Sequence, residues 1–221
     1  MKNRFGTRCL EPTNRDHKLV VAINEAADGL RGVADKRLAE MFAAQRMTFC
    51  ETDSTRAASH ESALVCLFSL AKEALQRTVA MTAYDVQLLS GIAIARGGVA
   101  EMQTGEGKTL TSMFPIVFHS LSGNGVHVAT VNAYLAERDF EFVRPALQML
   151  GISAGVSRDG EPSDEKRNAY AADVTFATGY ELGFDFLRDQ IAKMSRGPER
   201  LGTKLRRELF SDSRNDSPNV Q

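Results

Sequence analysis

Cysteine is scarce in this 221-residue chain, long apolar runs are missing, and the charges nearly cancel. The cysteines, Cys9, Cys50 and Cys66, are odd in number and have no metal-ligand spacing, so they read as free thiols of a reducing compartment. No window approaches the roughly eighteen consecutive apolar residues of a spanning helix. The N-terminus Met1-Lys2-Asn3-Arg4-Phe5 lacks the apolar core of a secretion signal. A net charge of −1 gives no global basic field for nucleic acid, although a local patch remains compatible with that charge. These absences point to a cytoplasmic protein whose membrane contact, where it has any, is peripheral. What remains, 43% hydrophobic and 25% charged residues, is the composition of an ordinary globular domain with one sizeable core.

The most informative stretch is Glu101-Met102-Gln103-Thr104-Gly105-Glu106-Gly107-Lys108-Thr109. Gly105 and Gly107 let the backbone curl until successive N–H groups point at one spot, Lys108 adds a positive charge, and Thr109 adds a hydroxyl suited to Mg²⁺. An apolar run, Gly98-Val99-Ala100, precedes the loop and an amphipathic run begins at Lys108. That order of strand, loop and helix N-terminus is what a phosphate-binding loop requires. The strict pattern asks for Gly or Ala where Met102 stands.

Apolar spacing predicts two helices between Lys18 and Met47 with a break near Gly32, a polar linker over 50–60, and a buried helix carrying Leu64, Leu67, Phe68, Ala71, Leu75 and Val79. Residues 1–16 read as a frayed arm. Beyond Tyr84 the pattern changes to a short helix over 84–95, a strand at Val99–Met102, a helix over 108–121 containing Pro115, and a β-branched strand at 126–131. A helix over 133–150, a short strand at 154–157, a charged helix over 163–171, a strand at 174–177 and a helix over 180–193 complete it. Strands alternating with helices imply a parallel α/β sheet. The polar, basic text after Arg196 holds too little apolar material to fold and reads as a disordered tail.

Three further segments join the loop: Tyr84-Asp85-Val86-Gln87-Leu88-Leu89, Thr130-Val131-Asn132-Ala133-Tyr134-Leu135-Ala136-Glu137-Arg138-Asp139, and Thr178-Gly179-Tyr180-Glu181-Leu182-Gly183-Phe184-Asp185-Phe186-Leu187-Arg188-Asp189. Together, at the spacing that family keeps, they resemble the SecA family, the motor ATPases of bacterial protein secretion. The likeness is densest over 81–190 and includes Met102. RNA and DNA helicases share the phosphate loop but carry Pro-Thr-Arg-Glu-Leu-like text where this chain has Thr-Val-Asn-Ala-Tyr-Leu. The resemblance implies an incomplete RecA-like (P-loop NTPase, DEAD-like) parallel sheet flanked by helices, with an N-terminal helical extension. The implied segments are an arm and helices over 1–80, the nucleotide-binding domain over 81–195, and the tail over 196–221. By position it implies Gln87 as the adenine contact, with Thr104, Gly105, Glu106, Gly107, Lys108 and Thr109 as the phosphate and magnesium site. ATP and Mg²⁺ are the implied cofactors. The Sec channel and preproteins are the implied partners, and the inner membrane is the surface of peripheral association. The chemistry of an amide agrees, since it donates and accepts at once and so can pair with the adenine edge.

Other candidates read more plainly. Arg138 and Asp139 fit surface charges of a helix, His127 a packed strand residue, and Asp185 with Arg188 a helix ion pair. The basic run 193–207 fits a solvated tail better than a patch for acidic lipid or nucleic acid. The chain also departs from the family. Thr82 stands where members show Arg, and no Asp-Glu-x-Asp following an apolar strand occurs after the phosphate loop. In members that Asp holds Mg²⁺ and the Glu activates water. The expectation is therefore a truncated or split translocase subunit, its missing motor half supplied by another chain or lost, that binds ATP without efficient hydrolysis. A non-catalytic ATP-binding interaction module and a helicase-like nucleic-acid-binding fragment are the competing readings.

Overall fold

A computed structural model describes residues 11–51 and 57–195. Within them the chain is α/β. It has helices α1 (Asn14–Leu30), α2 (Asp35–Glu51), α3 (Ala57–Val79), α4 (Asp85–Ala95) and α5 (Lys108–His119), then strand β1 (Val126–Thr130) and helix α6 (Ala133–Met149). Strand β2 (Ala154–Val156), helix α7 (Ser163–Tyr170), strand β3 (Val174–Thr178) and helix α8 (Gly179–Ser195) follow. The described residues pack as two compact units, one formed by those up to Ser122 together with Pro145–Gly151, the other by Gly123–Arg144 and those described from Ile152 onward.

The first unit is helical. α3 is its hub, because Leu64, Leu67, Phe68, Leu70, Ala71, Ala74 and Leu75 are almost wholly buried and α1, α2 and α5 pack around them. Phe68 of α3 meets Phe114 of α5 with ring centroids 5.1 Å apart, and each buried ring removes enough apolar surface to contribute about 2 kcal/mol. The break between α1 and α2 falls near Gly32, as the spacing predicts, and Arg77 of α3 stabilises it. The Arg77 guanidinium donates to the carbonyls of Val33 at 2.6 Å and Leu30 at 2.9 Å, and pairs with Asp35 at 2.6 Å.

The second unit holds a three-stranded parallel sheet in the order β1-β3-β2. β3 lies in the centre, with Val126 opposite Val174 on one side and Ala154 opposite Val174 on the other. A central parallel strand is covered on both faces, which explains why Val174, Thr175, Phe176 and Ala177 are all buried rather than alternating. α6 lays Phe140 against Phe176 at 5.8 Å. α7 approaches β2 so closely that a Cβ on Gly155 would stand 2.9 Å from the Ala169 Cα, so only glycine fits there.

Three expectations need correction. The segment Val99–Met102 forms no strand; it runs as irregular backbone, with Val99 96% exposed. A strand needs a partner for its N–H and C=O groups, and among the described residues none pairs with this segment. The N-terminal arm is shorter than expected, because α1 starts at Asn14 behind a capping box. Thr13 Oγ1 accepts from Asp16 N–H at 3.3 Å while Asp16 Oδ2 accepts from Thr13 N–H at 2.8 Å. The linker over 50–60 is helical at both ends, with α2 reaching Glu51 and α3 starting at Ala57. The expected disordered tail over 196–221, Cys9 and the start of the arm lie outside the described residues. No described helix is long and apolar enough to cross a membrane.

Candidate nucleotide-binding site

The phosphate-loop residues and Gln87 all belong to the first unit, at the N-terminus of α5. Gly107 is the residue before the helix and adopts φ 82, ψ 41, the left-handed conformation that glycine enters without a Cβ penalty. Gly105 is left-handed as well, at φ 92. Two such residues separated by one make the chain double back, and the loop closes on itself. Glu106 N–H donates to the Gln103 carbonyl at 3.3 Å, and Glu106 Oε2 accepts from Gln103 N–H at 2.6 Å. Thr111 N–H donates to the Gly107 carbonyl at 2.9 Å, which starts the helical ladder.

Lys108 is exposed, and its Nζ donates to the Gln103 carbonyl at 2.7 Å. The cation is thus held over the loop by a neutral carbonyl, a weaker acceptor than an anionic oxygen. Thr109 is half-buried in the first turn of α5, while Thr104 and Gly105 are exposed. The first-turn N–H groups of a helix carry positive partial charge, so this end of α5 favours an anion.

Gln87 stands in the first turn of α4 and is 7% exposed. Both ends of its amide are engaged. Oε1 accepts from Tyr84 N–H at 3.0 Å, and Nε2 donates to the Glu106 carbonyl at 2.8 Å. The structure therefore brings Gln87 and the loop into direct contact. Sequence spacing joined them only through the family, and nothing in the residue pattern announced a bond to the Glu106 carbonyl.

The other motif segments belong to the second unit. Asn132 Oδ1 accepts from Leu135 N–H at 2.9 Å and so caps α6, a role its position just before the helix makes legible. Arg138 pairs with its neighbour Asp139 at 2.7 Å on the outside of α6. His127 sits edge-on to Tyr170, with ring centroids 5.8 Å apart, and burial lowers its pKa. The expected Asp185–Arg188 pair forms at 2.6 Å.

Asp185 does more than pair with Arg188, and this went unread in the sequence. It is wholly buried and accepts from Lys166 Nζ at 3.1 and 3.0 Å and from the Tyr170 hydroxyl at 2.9 Å, while Lys166 also pairs with Glu181. Burial alone would lower the Lys166 pKa, but the carboxylates of Glu181 and Asp185 outweigh it and hold the ammonium above its usual range. Burial, with the Asp185 carboxylate, pushes the Tyr170 hydroxyl up as well. The available signal was the spacing of Lys166, Ala169 and Tyr170, which puts all three on one face of α7. Among the described residues no cluster of His, Cys, Asp or Glu suits a metal ion.

Comparison with known proteins adds the context. The SecA DEAD-like domain family matches residues 1–206. The protein translocase subunit SecA of Alcanivorax borkumensis is 41% identical over 192 residues, covering 87% of this chain and 21% of the relative. The subunit of the same name from Cellvibrio japonicus is 40% identical over 192 residues, covering 87% of this chain and 20% of the relative. The chain thus spans about a fifth of the length of these relatives.

Proposed function

Because this chain belongs to the SecA DEAD-like domain family, whose membership implies nucleotide binding, we propose that it is the ATP-binding part of a preprotein translocase motor. The observation that supports this reading is the double left-handed turn at Gly105 and Gly107, which sets Lys108 and Thr109 at the mouth of α5 with Gln87 against the same loop. The triphosphate lies across the N-terminus of α5, with Lys108 on its outer phosphates. Gln87 faces the adenine. Mg²⁺, when bound, neutralises phosphate charge. The residues fit it, because Thr109 offers one hydroxyl oxygen and the ion ordinarily takes its other ligands from phosphates and water.

In the relatives named as translocase subunits, such a domain is one part of a chain about five times as long. The proposed partners of this chain are the Sec channel and a preprotein. The proposed location is the cytoplasmic face of the inner membrane, with peripheral attachment.

These 221 residues hold no Asp-Glu-x-Asp behind an apolar strand, so they bind ATP without efficient turnover. Calorimetric titration with MgATP tests the binding, and phosphate release at saturating ATP tests the turnover. Saturable binding with release well below about 1 s⁻¹ is expected. No binding sinks the reading, and release at or above that rate sinks the claim of lost hydrolysis.

A further inference from the structure

Gln87 holds the phosphate loop, and this goes beyond reading a base. Its Nε2 donates to the Glu106 carbonyl at 2.8 Å, and its Oε1 is anchored to Tyr84 N–H at 3.0 Å. The approach is close enough that a Cβ on Gly107 would stand 2.4 Å from Nε2. In a trans peptide the carbonyl and the following N–H point in opposite directions. Fixing the Glu106 carbonyl on Gln87 therefore turns the Gly107 N–H away from Gln87 and fixes the turn that opens α5. We infer that Gln87 is a positioning residue for the phosphate loop, one that sets affinity for the polyphosphate group whether or not a base is attached.

The inference rests on the ATP-binding reading and deepens it. It is compatible with adenine recognition through the same side chain. A primary amide has two N–H donors and an oxygen with two acceptor sites. Tyr84 and Glu106 use one of each, and the remaining donor and acceptor are the pair an adenine edge requires. One side chain thereby ties the base site to the phosphate site. A base reader alone would leave phosphate affinity untouched when removed.

The discriminating probe is inorganic tripolyphosphate with Mg²⁺, which has the phosphates and no base. Its affinity, with those of ATP and GTP, is measured by calorimetry on the full 221-residue wild-type chain and on Gln87→Met, a neutral replacement of similar length that makes neither bond. The expected result is a three- to tenfold weaker tripolyphosphate affinity, about the effect of one lost hydrogen bond, with GTP weakened alike and ATP weakened more. Hydrogen exchange of the 103–109 amides in the ligand-free variant should rise while the later turns of α5 keep their protection.

Unchanged tripolyphosphate affinity in Gln87→Met, with only ATP weakened, overturns the inference and leaves ATP binding standing. Tripolyphosphate and ATP both failing to bind the wild-type chain overturns the inference and the ATP-binding reading together. Should Gln87→Met not fold, the side-chain amide protons of wild-type Gln87 give the answer by NMR. They stay protected from exchange when tripolyphosphate saturates the site, and loss of that protection on binding overturns the inference.

Discussion

Lys166 Nζ lies 3.0 Å from Asp185 Oδ2, with 5% and 0% of the two side chains exposed. A buried pair adds little net stability over an apolar substitute, but breaking one is costly because the surviving charge stays in a medium that cannot solvate it. Lys166→Met removes the cation that Glu181 and Asp185 share. Asp185 keeps Arg188 and the Tyr170 hydroxyl while Glu181 loses its partner. The chain should therefore lose about 3 kcal/mol against urea, the low end for a broken buried pair. Adding Asp185→Leu to that variant should restore part of the loss. A Lys166→Met chain as stable as wild type would mean that the pair is not formed in solution.

The same lysine sets a pH dependence. Its pKa is raised above the ordinary 10.5, so the folded state binds its proton more tightly than the unfolded chain does. The resulting stability is fully present below about pH 10.5 and is lost as pH rises through the folded value. Urea midpoints of the wild-type chain should fall across that alkaline window, and the part of the fall due to Lys166 should be missing from Lys166→Met. Identical alkaline limbs for the two chains would contradict this assignment.

α8 shows why some of this was legible and some was not. Its helical period was readable over 180–193, and the helix spans Gly179–Ser195. Periodicity alone does not say which face turns inward, and the apolar face would ordinarily be chosen. The structure does the reverse. Glu181, Asp185 and Asp189, four residues apart, are buried at 7%, 0% and 1% exposure, while Tyr180, Phe184, Leu187, Ile191 and Met194 are exposed. A long-range partner, Lys166 from α7, makes the acidic face the inner one, and no local pattern encodes that. The turn over 103–109 that opens α5 was legible for the opposite reason. Its glycines, lysine and threonine act through backbone conformation within nine residues, so the sequence carries the geometry directly. The strand expected at Val99–Met102 failed because strand formation depends on a neighbour that the run itself does not specify.

Thr111 gives a prediction of opposite sign. It is 1% exposed in α5, and among the described residues its hydroxyl has no hydrogen-bond partner. Burying an unsatisfied hydroxyl costs about 1–3 kcal/mol, and valine has the same shape without the polar atom. Thr111→Val should therefore stabilise the chain by about 1 kcal/mol, read as a higher urea midpoint at unchanged slope. A fall in midpoint would show that the hydroxyl is satisfied in solution.

The central claim is that the N-terminus of α5 and Lys108 bind the phosphates of ATP. The most direct measurement is calorimetric titration of MgATP into the wild-type chain and into Lys108→Ala. Lys108 is exposed and its Nζ bonds the Gln103 carbonyl of the same loop, so the substitution should leave the fold intact. Loss of one charge-assisted contact predicts an affinity about ten- to a hundredfold weaker in Lys108→Ala. Equal affinity in the two chains would place the nucleotide somewhere other than this loop and contradict the account.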